Sequence, residues 1–181
     1  MRDNIIIFAT LIAGGLTKGG RLKTEKETTK GYALILGGTR GLGREIALAL
    51  QQREQPTIVL GRSVEKVVLR GQQVQIRCDF EQPDSVSGAI RILEIGKYDI
   101  RDFYWVAGTL NKKPFHELKS DELLRELDVN FRNPLPLVQF AWKALQKDAS
   151  HPVKIFCVVS SRSGLIAREN EALYCASKFT Q

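Results

Sequence analysis

Two residue pairs in this chain have spacings with chemical consequences. Tyr174 and Lys178 stand four positions apart in Tyr174-Cys175-Ala176-Ser177-Lys178. On a helix, positions i and i+4 share a face, which sets the ammonium beside the phenol. A free phenol, with a pKa near ~10, exchanges protons poorly at neutrality, and a neighbouring cation favours its ionised form. Tyr174 is therefore the candidate to give or take the proton of a substrate hydroxyl. The second pair is Asn130 and Pro134. A proline four residues on has no N–H to donate, so the Asn130 carbonyl is left free within its helix. Ser161, thirteen residues before Tyr174, ends a β-branched run.

A third group would hold a ligand rather than react. Gly37-Gly38-Thr39-Arg40-Gly41-Leu42-Gly43 follows an apolar run and leads into a helical pattern. Glycines at 37, 41 and 43 permit a tight turn and let a pyrophosphate approach the backbone at a helix N-terminus, where free N–H groups favour anions. An acid at the end of the second strand would bind the adenosine 2′-hydroxyl of NAD, whereas an arginine suits the 2′-phosphate of NADP. The chain has Gly61-Arg62-Ser63 there, Glu65 is the nearest acid, and Arg40 lies within the glycine turn. Two arginines and no acid favour NADP (NADPH) over NAD.

The elements that position these groups alternate. Residues 32–36, 57–60, 74–78, 102–106 and 153–159 read as strands, while residues 44–53 and 83–93 have helical spacing. Ser120 is placed to cap a helix from Asp121, and a last helix begins near Glu171. Continuous apolar strands separated by amphipathic helices predict an α/β fold, a doubly wound and mostly parallel Rossmann-like sheet. Residues 31–181 form the nucleotide-binding domain. Residues 1–30 stand apart as an N-terminal extension: an apolar run over 5–13, predicted as an extra strand or a frayed extension, then a basic and polar linker. The run through Leu16 is twelve residues, too short to cross a bilayer as a helix.

Composition sets the limits. The 181 residues are 43% apolar and 26% charged, as in globular domains. Of the net charge of +7, +3 falls in the first thirty residues, and no basic stripe interleaved with aromatics supports a nucleic-acid partner. Three distant cysteines without a CxxC pair, and two histidines, argue against a disulfide framework or a metal site and for a reducing, cytoplasmic setting.

Over about residues 31–181 the chain resembles the short-chain dehydrogenase/reductase family of classical type. The glycine pattern G-x-x-x-G-x-G, the Tyr-x-x-x-Lys at 174–178, Ser161, Asn130 in Asp128-Val129-Asn130, and Cys78-Asp79 at the end of the third strand carry the resemblance. It implies an NADP-dependent oxidoreductase that moves a hydride between the nicotinamide and a carbonyl or secondary alcohol. Asn130, Ser161, Tyr174 and Lys178 take the catalytic roles. In the family the lysine also holds the nicotinamide ribose, and the asparagine carbonyl holds a water in the proton relay. Gly37, Thr39, Arg40, Gly41, Leu42, Gly43, Arg62, Asp79, Phe80, Ala107 and Gly108 would bind the cofactor together with Asn130, Tyr174 and Lys178. The resemblance also implies a homodimer or homotetramer for the full-length protein, with a small-molecule carbonyl or alcohol as substrate; the charge distribution and the short apolar run argue against a nucleic acid or a membrane as partner.

The chain departs from the family in three places. Trp105-Val106-Ala107-Gly108 replaces Asn-Asn-Ala-Gly, and Leu36 stands where a threonine precedes the first glycine. Three residues follow Lys178, so the C-terminal strands and substrate-covering segment are expected to be missing and one sheet edge to be open. A non-catalytic nucleotide-binding or interaction domain that keeps the motifs is the alternative.

Overall fold

The computed structural model describes residues 7–13, 31–64, 68–70, 72–147 and 153–181. In chain order its elements are β1 (Ile7–Ala13), β2 (Tyr32–Leu36), α1 (Gly41–Gln52), β3 (Thr57–Gly61), β4 (Val68–Arg70), β5 (Gln73–Arg77), α2 (Pro83–Gly96), β6 (Ile100–Trp105), α3 (Ser120–Leu127), α4 (Leu135–Gln146), β7 (Val153–Val159) and α5 (Ala172–Phe179). Strands β2, β3, β5, β6 and β7 are parallel neighbours, and the whole sheet runs β1-β7-β6-β2-β3-β5-β4.

Alternation within the strands explains why helices cover both faces. Ala33 and Ile35 of β2 and Val59 of β3 point to one side, where they meet Ala47 and Leu50 of α1. Leu34, Leu36, Ile58, Leu60 and Phe103 point to the other, against Leu93 of α2 and Leu137 and Leu145 of α4. Residues 33–36 have no exposed surface at all. A strand buried on both faces cannot show polar alternation, hence the continuous apolar runs. The chain order reverses at β2, which has β3 on one side and β6 on the other, and a crevice opens beyond the carboxyl ends of such strands.

Helix ends follow local chemistry. Pro83 and Asp84 open α2, and Lys97 in the left-handed region (φ +47°) ends it. Ser120, expected as a cap, is instead the first residue of α3, and the Glu122 carboxylate reaches back to accept the Lys119 N–H at 2.9 Å. Between α3 and α4, residues 128–132 widen into a π turn in which the Asn133 N–H reaches the Asp128 carbonyl at 2.9 Å. Pro134 then caps α4.

Both edges differ from the expected arrangement. The β7 edge, expected to be open, is covered by β1, which runs antiparallel with Ile7 opposite Val159 and Ala13 opposite Val153. Residues 7–13 thus form the extra strand that the apolar run predicts, and this part of the segment set apart as an extension belongs to the sheet. An unpaired strand edge presents a row of N–H and C=O groups, and a β-prone run can satisfy them. At the far edge the three-residue β4 pairs antiparallel with β5. The linker expected over residues 14–30, and Glu65, lie outside the described residues.

Glu126 of α3 is 2% exposed, and neither carboxylate oxygen makes a full hydrogen bond among the described residues. Burial pushes its carboxyl up to about 7, against a weaker pull from the Asn111 N–H. Between about pH 4.5 and 7 the folded chain holds a proton that the unfolded chain has released, so unfolding free energy falls as pH rises through that window. Urea titrations at pH 5 and pH 7.5 should show a loss on the order of 2 kcal/mol from this group. Glu126→Gln should remove that part of the decline; a decline unchanged in the variant would assign it to other groups.

Candidate active site

The glycine turn closes on itself at two points where no other residue fits. Gly37 has φ +85°, and a Cβ there would lie 2.7 Å from the Ala107 backbone. At Gly43 a Cβ would lie 2.3 Å from the Gly37 carbonyl oxygen. The strand ends around the turn are tied by backbone alone. Gly37 and Gly38 N–H groups donate to the Leu60 carbonyl (2.9 and 3.2 Å), and those of Val106 and Ala107 donate to Leu36 (3.0 and 2.8 Å). These bonds hold the turn without the asparagines and threonine that the resemblance would supply.

Helix α1 begins with its N-terminal pole bare. Arg40, the residue before it, makes no side-chain cap, and the first turn holds no acid. The first N–H groups of a helix lack intrahelical acceptors, so Gly41, Leu42 and Gly43 offer donors to an anion. They face a cavity of about 390 Å³, which Gly37, Thr39 and Arg40 also line. A glycine cradle that a Cβ would fill, beneath an uncapped helix pole, fits the diphosphate of a dinucleotide. Farther along one side the same cavity meets Arg62, Asp79 and the buried Phe80. Asp79 Oδ1 accepts the Glu81 N–H at 3.1 Å, which fixes the turn after β5.

At its other end the cavity reaches Ala107, Gly108, Ser161, Tyr174 and Lys178. Lys178 Nζ sits 5.6 Å from the centre of the Tyr174 ring. Its residue is 5% exposed, and burial pushes its pKa down to about 8. Nζ donates to the Val159 carbonyl at 3.3 Å and to Gln181 Oε1 at 2.6 Å. Ser161 Oγ accepts the Ser163 N–H at 3.2 Å, at the mouth of the short turn after β7.

Asn130 is wholly buried behind Gly108, where a Cβ would come within 3.3 Å of both Asn130 Oδ1 and Lys178 Nζ. Its amide clamps the loop after β6 to α5. Oδ1 accepts the Thr109 N–H (2.6 Å), and Nδ2 donates to the Thr109 carbonyl and to Ser177 Oγ (both 2.8 Å). Its backbone carbonyl is free of the helix, as Pro134 requires, but Gln181 Nε2 donates to it at 2.7 Å. The Gln181 amide thus bridges the Asn130 carbonyl and Lys178 Nζ, the gap in which the resemblance expects a water.

All the residues expected at the site line this cavity or stand directly behind it. Three others at the site were not expected. Glu171, 4% exposed, meets Lys112 Nζ (3.0 Å) and the Ser163 hydroxyl (3.0 Å). Burial raises its pKa, but these partners outweigh burial and hold the carboxyl below its usual range. Glu81 takes an ion pair from Arg62, and Gln181 forms the bridge just described. Glu81 was legible in principle: β5 neighbours β3 in a sheet of this order, so an acid just past β5 faces the end of β3.

The strand order and the glycine turn before α1 define a Rossmann-like α/β protein. Residues 31–181 match the short chain dehydrogenase family, and the chain belongs to that family. It is 25% identical over 158 residues to a phthioceranic/hydroxyphthioceranic acid synthase of Mycobacterium tuberculosis, covering 81% of this chain and 7% of that protein. It is 28% identical over 182 residues to an uncharacterised oxidoreductase of Saccharomyces cerevisiae, covering 96% of this chain and 54% of the relative. The chain therefore spans about half of one curated relative and a small part of the other. Among solved structures, 4-hydroxyisoleucine dehydrogenase complexed with NADH superposes with a TM-score of 0.67 at 19% identity, over 83% of this chain and 64% of that one. No described helix is long and apolar enough to cross a membrane.

Proposed function

We propose that this chain is an NADP-dependent oxidoreductase acting on a small carbonyl compound or secondary alcohol in the cytoplasm. One observation carries the proposal: a single cavity joins the bare pole of α1 to the Tyr174–Lys178 pair. When bound, the cofactor supplies or accepts the hydride. Gly37, Thr39 and residues 41–43 would hold its diphosphate, Asp79 and Phe80 its adenine end, and Ala107, Gly108 and Lys178 the nicotinamide ribose. Tyr174 passes a proton to or from the substrate oxygen, and Ser161 donates a hydrogen bond to that oxygen. Lys178 lowers the cost of the phenolate by its charge. Asn130 keeps the loop after β6 against α5 so that these groups share one geometry.

Arg62 and Arg40 support NADP over NAD, since both line the cavity on the side of Asp79 and the glycine turn. Arg62→Asp should raise the NADPH dissociation constant by at least ~10-fold and narrow or reverse the preference, an effect typical of a lost charge-assisted phosphate contact. Titrations with NADPH and NADH would test it, and equal affinities in the unaltered chain would overturn the assignment.

A second reading has one observation behind it. The Gln181 amide lies where a relay water is needed, and an amide does not pass protons as water does. A nucleotide-binding domain without turnover fits that arrangement. NADPH consumption against a panel of aldehydes and ketones separates the two.

A further inference from the structure

Arg62 does not stand alone at the mouth of the cavity. It follows β3, Glu81 follows β5, and Arg125 belongs to α3. Arg62 Nη1 donates to Glu81 Oε1 at 3.0 Å, and Arg125 Nη2 donates to the same oxygen at 2.7 Å. Arg62 and Glu81 line the cavity, whereas Arg125 approaches from α3, outside that lining. One carboxylate oxygen is thus shared between a guanidinium that faces the ligand site and one that does not.

We propose that Glu81 competes with the cofactor's 2′-phosphate for Arg62, and that Arg125 eases the exchange by keeping hold of the same carboxylate. Both residues then set the preference between NADP and NAD without touching the cofactor. The proposal rests on the NADP reading above. A phosphate monoester brings a charge of about −1.5 to −2 and three acceptor oxygens, which suits a guanidinium better than one carboxylate oxygen does. The Arg62 contact with Glu81 is single and its side chain is 49% exposed, the kind of pair that exchanges at little cost. The Arg125 contact is the shorter, and it is the chief reason the Glu81 carboxyl is held below its usual range, with Arg62 the smaller cause.

The exchange follows from these contacts. As Arg62 turns to the phosphate, Glu81 keeps Arg125 and is not left as an unpaired anion beside a second anion. Without Arg125, Arg62 would be the one cation left paired with Glu81 among the described residues, and the phosphate would meet a less compensated negative charge. NADH has a 2′-hydroxyl and asks for no such exchange, and a glutamine in place of Glu81 still offers that hydroxyl an acceptor, so neither substitution moves its affinity. Arg40 makes no ion pair among the described residues and needs no release.

Calorimetric titration of the chain with NADPH and NADH tests this. Glu81→Gln should lower the NADPH dissociation constant by about 3- to 5-fold and leave that of NADH within about 1.5-fold, the range expected for a half-exposed pair. Arg125→Ala should raise the NADPH constant by about 3-fold, again without moving NADH. In the double variant the Arg125 effect should vanish, because Arg125 acts only through Glu81. Weaker NADPH binding in Glu81→Gln would overturn the proposal, as would an Arg125 loss that persists in the double variant, which would put Arg125 on the phosphate itself. An Arg62→Ala chain that binds NADPH as tightly as the parent would overturn the NADP reading and this proposal with it; failure of the Glu81 and Arg125 variants alone would leave that reading standing.

Discussion

Replacing Tyr174 by phenylalanine is expected to lower turnover by roughly 10³-fold while NADPH affinity stays within about two-fold. The substitution removes one oxygen and keeps the ring that faces Lys178 Nζ at 5.6 Å. Packing of α5 should survive, because Leu173, Ser177 and Lys178 bury this helix and Tyr174 lies partly open to the cavity. What is lost is a proton donor matched to the substrate oxygen. Lys178→Met should cost both turnover and cofactor affinity, since Nζ sits between the ring and the wall formed by Gly108. Thermal melts of the two variants beside stopped-flow hydride transfer would separate chemistry from folding. Turnover that survives Tyr174→Phe would refute the assigned proton path.

The second large effect belongs to Gly43. Gly43→Ala places a methyl group 2.3 Å from the Gly37 carbonyl oxygen, a backbone atom that cannot swing aside. The turn must open, and α1 must shift away from the ends of β2 and β6. NADPH affinity should fall by at least ~100-fold, because the cradle and the helix pole move together. Gly88→Ala is the internal contrast. Gly88 lies inside α2, and a Cβ there meets nothing within 4 Å. Alanine should stabilise that helix by about 0.5–1 kcal/mol and leave binding untouched. Urea unfolding and NADPH titration of both variants would show the opposite signs. A Gly43→Ala chain that binds normally would mean the turn holds no diphosphate.

The contrast also shows what sequence can carry. Strands β2 and β3 were legible because burial on both faces leaves unbroken apolar runs such as 33–36, and β5 because its apolar residues alternate, as at Val74 and Ile76. The helices were legible from one-sided periodicity, as at Val86, Ala89 and Leu93. Gly37 and Gly43 were legible because their spacing matches a turn that needs them. Partners across space were not. Nothing in the apolar run over 5–13 says which edge it will pair with, or in which direction. Val68–Arg70 is too short for alternation to mark as a strand. The π turn at 128–132 lies just before Pro134 and carries Asn130, whose amide accepts the Thr109 N–H, a contact across 21 positions. Glu81, though the strand order points to it, and Gln181 lie outside the motif: a motif names the residues that act, and says little about the neighbours that compete with them.

The antiparallel join of β1 to β7 has a consequence for how the chain is made. It links Ile7 to Val159, residues about 150 positions apart, through every strand and crossover between them. At ribosomal rates of about 5–20 residues per second, β7 emerges roughly 7–30 s after β1. Throughout that interval an apolar seven-residue strand waits without its mate. Pairing at such a separation also carries a large loop-closure cost, so it is expected among the last steps of folding. The run over 5–13 is therefore a nascent-chain hazard, a stretch that holdase chaperones would cover and that slowed translation would expose for longer.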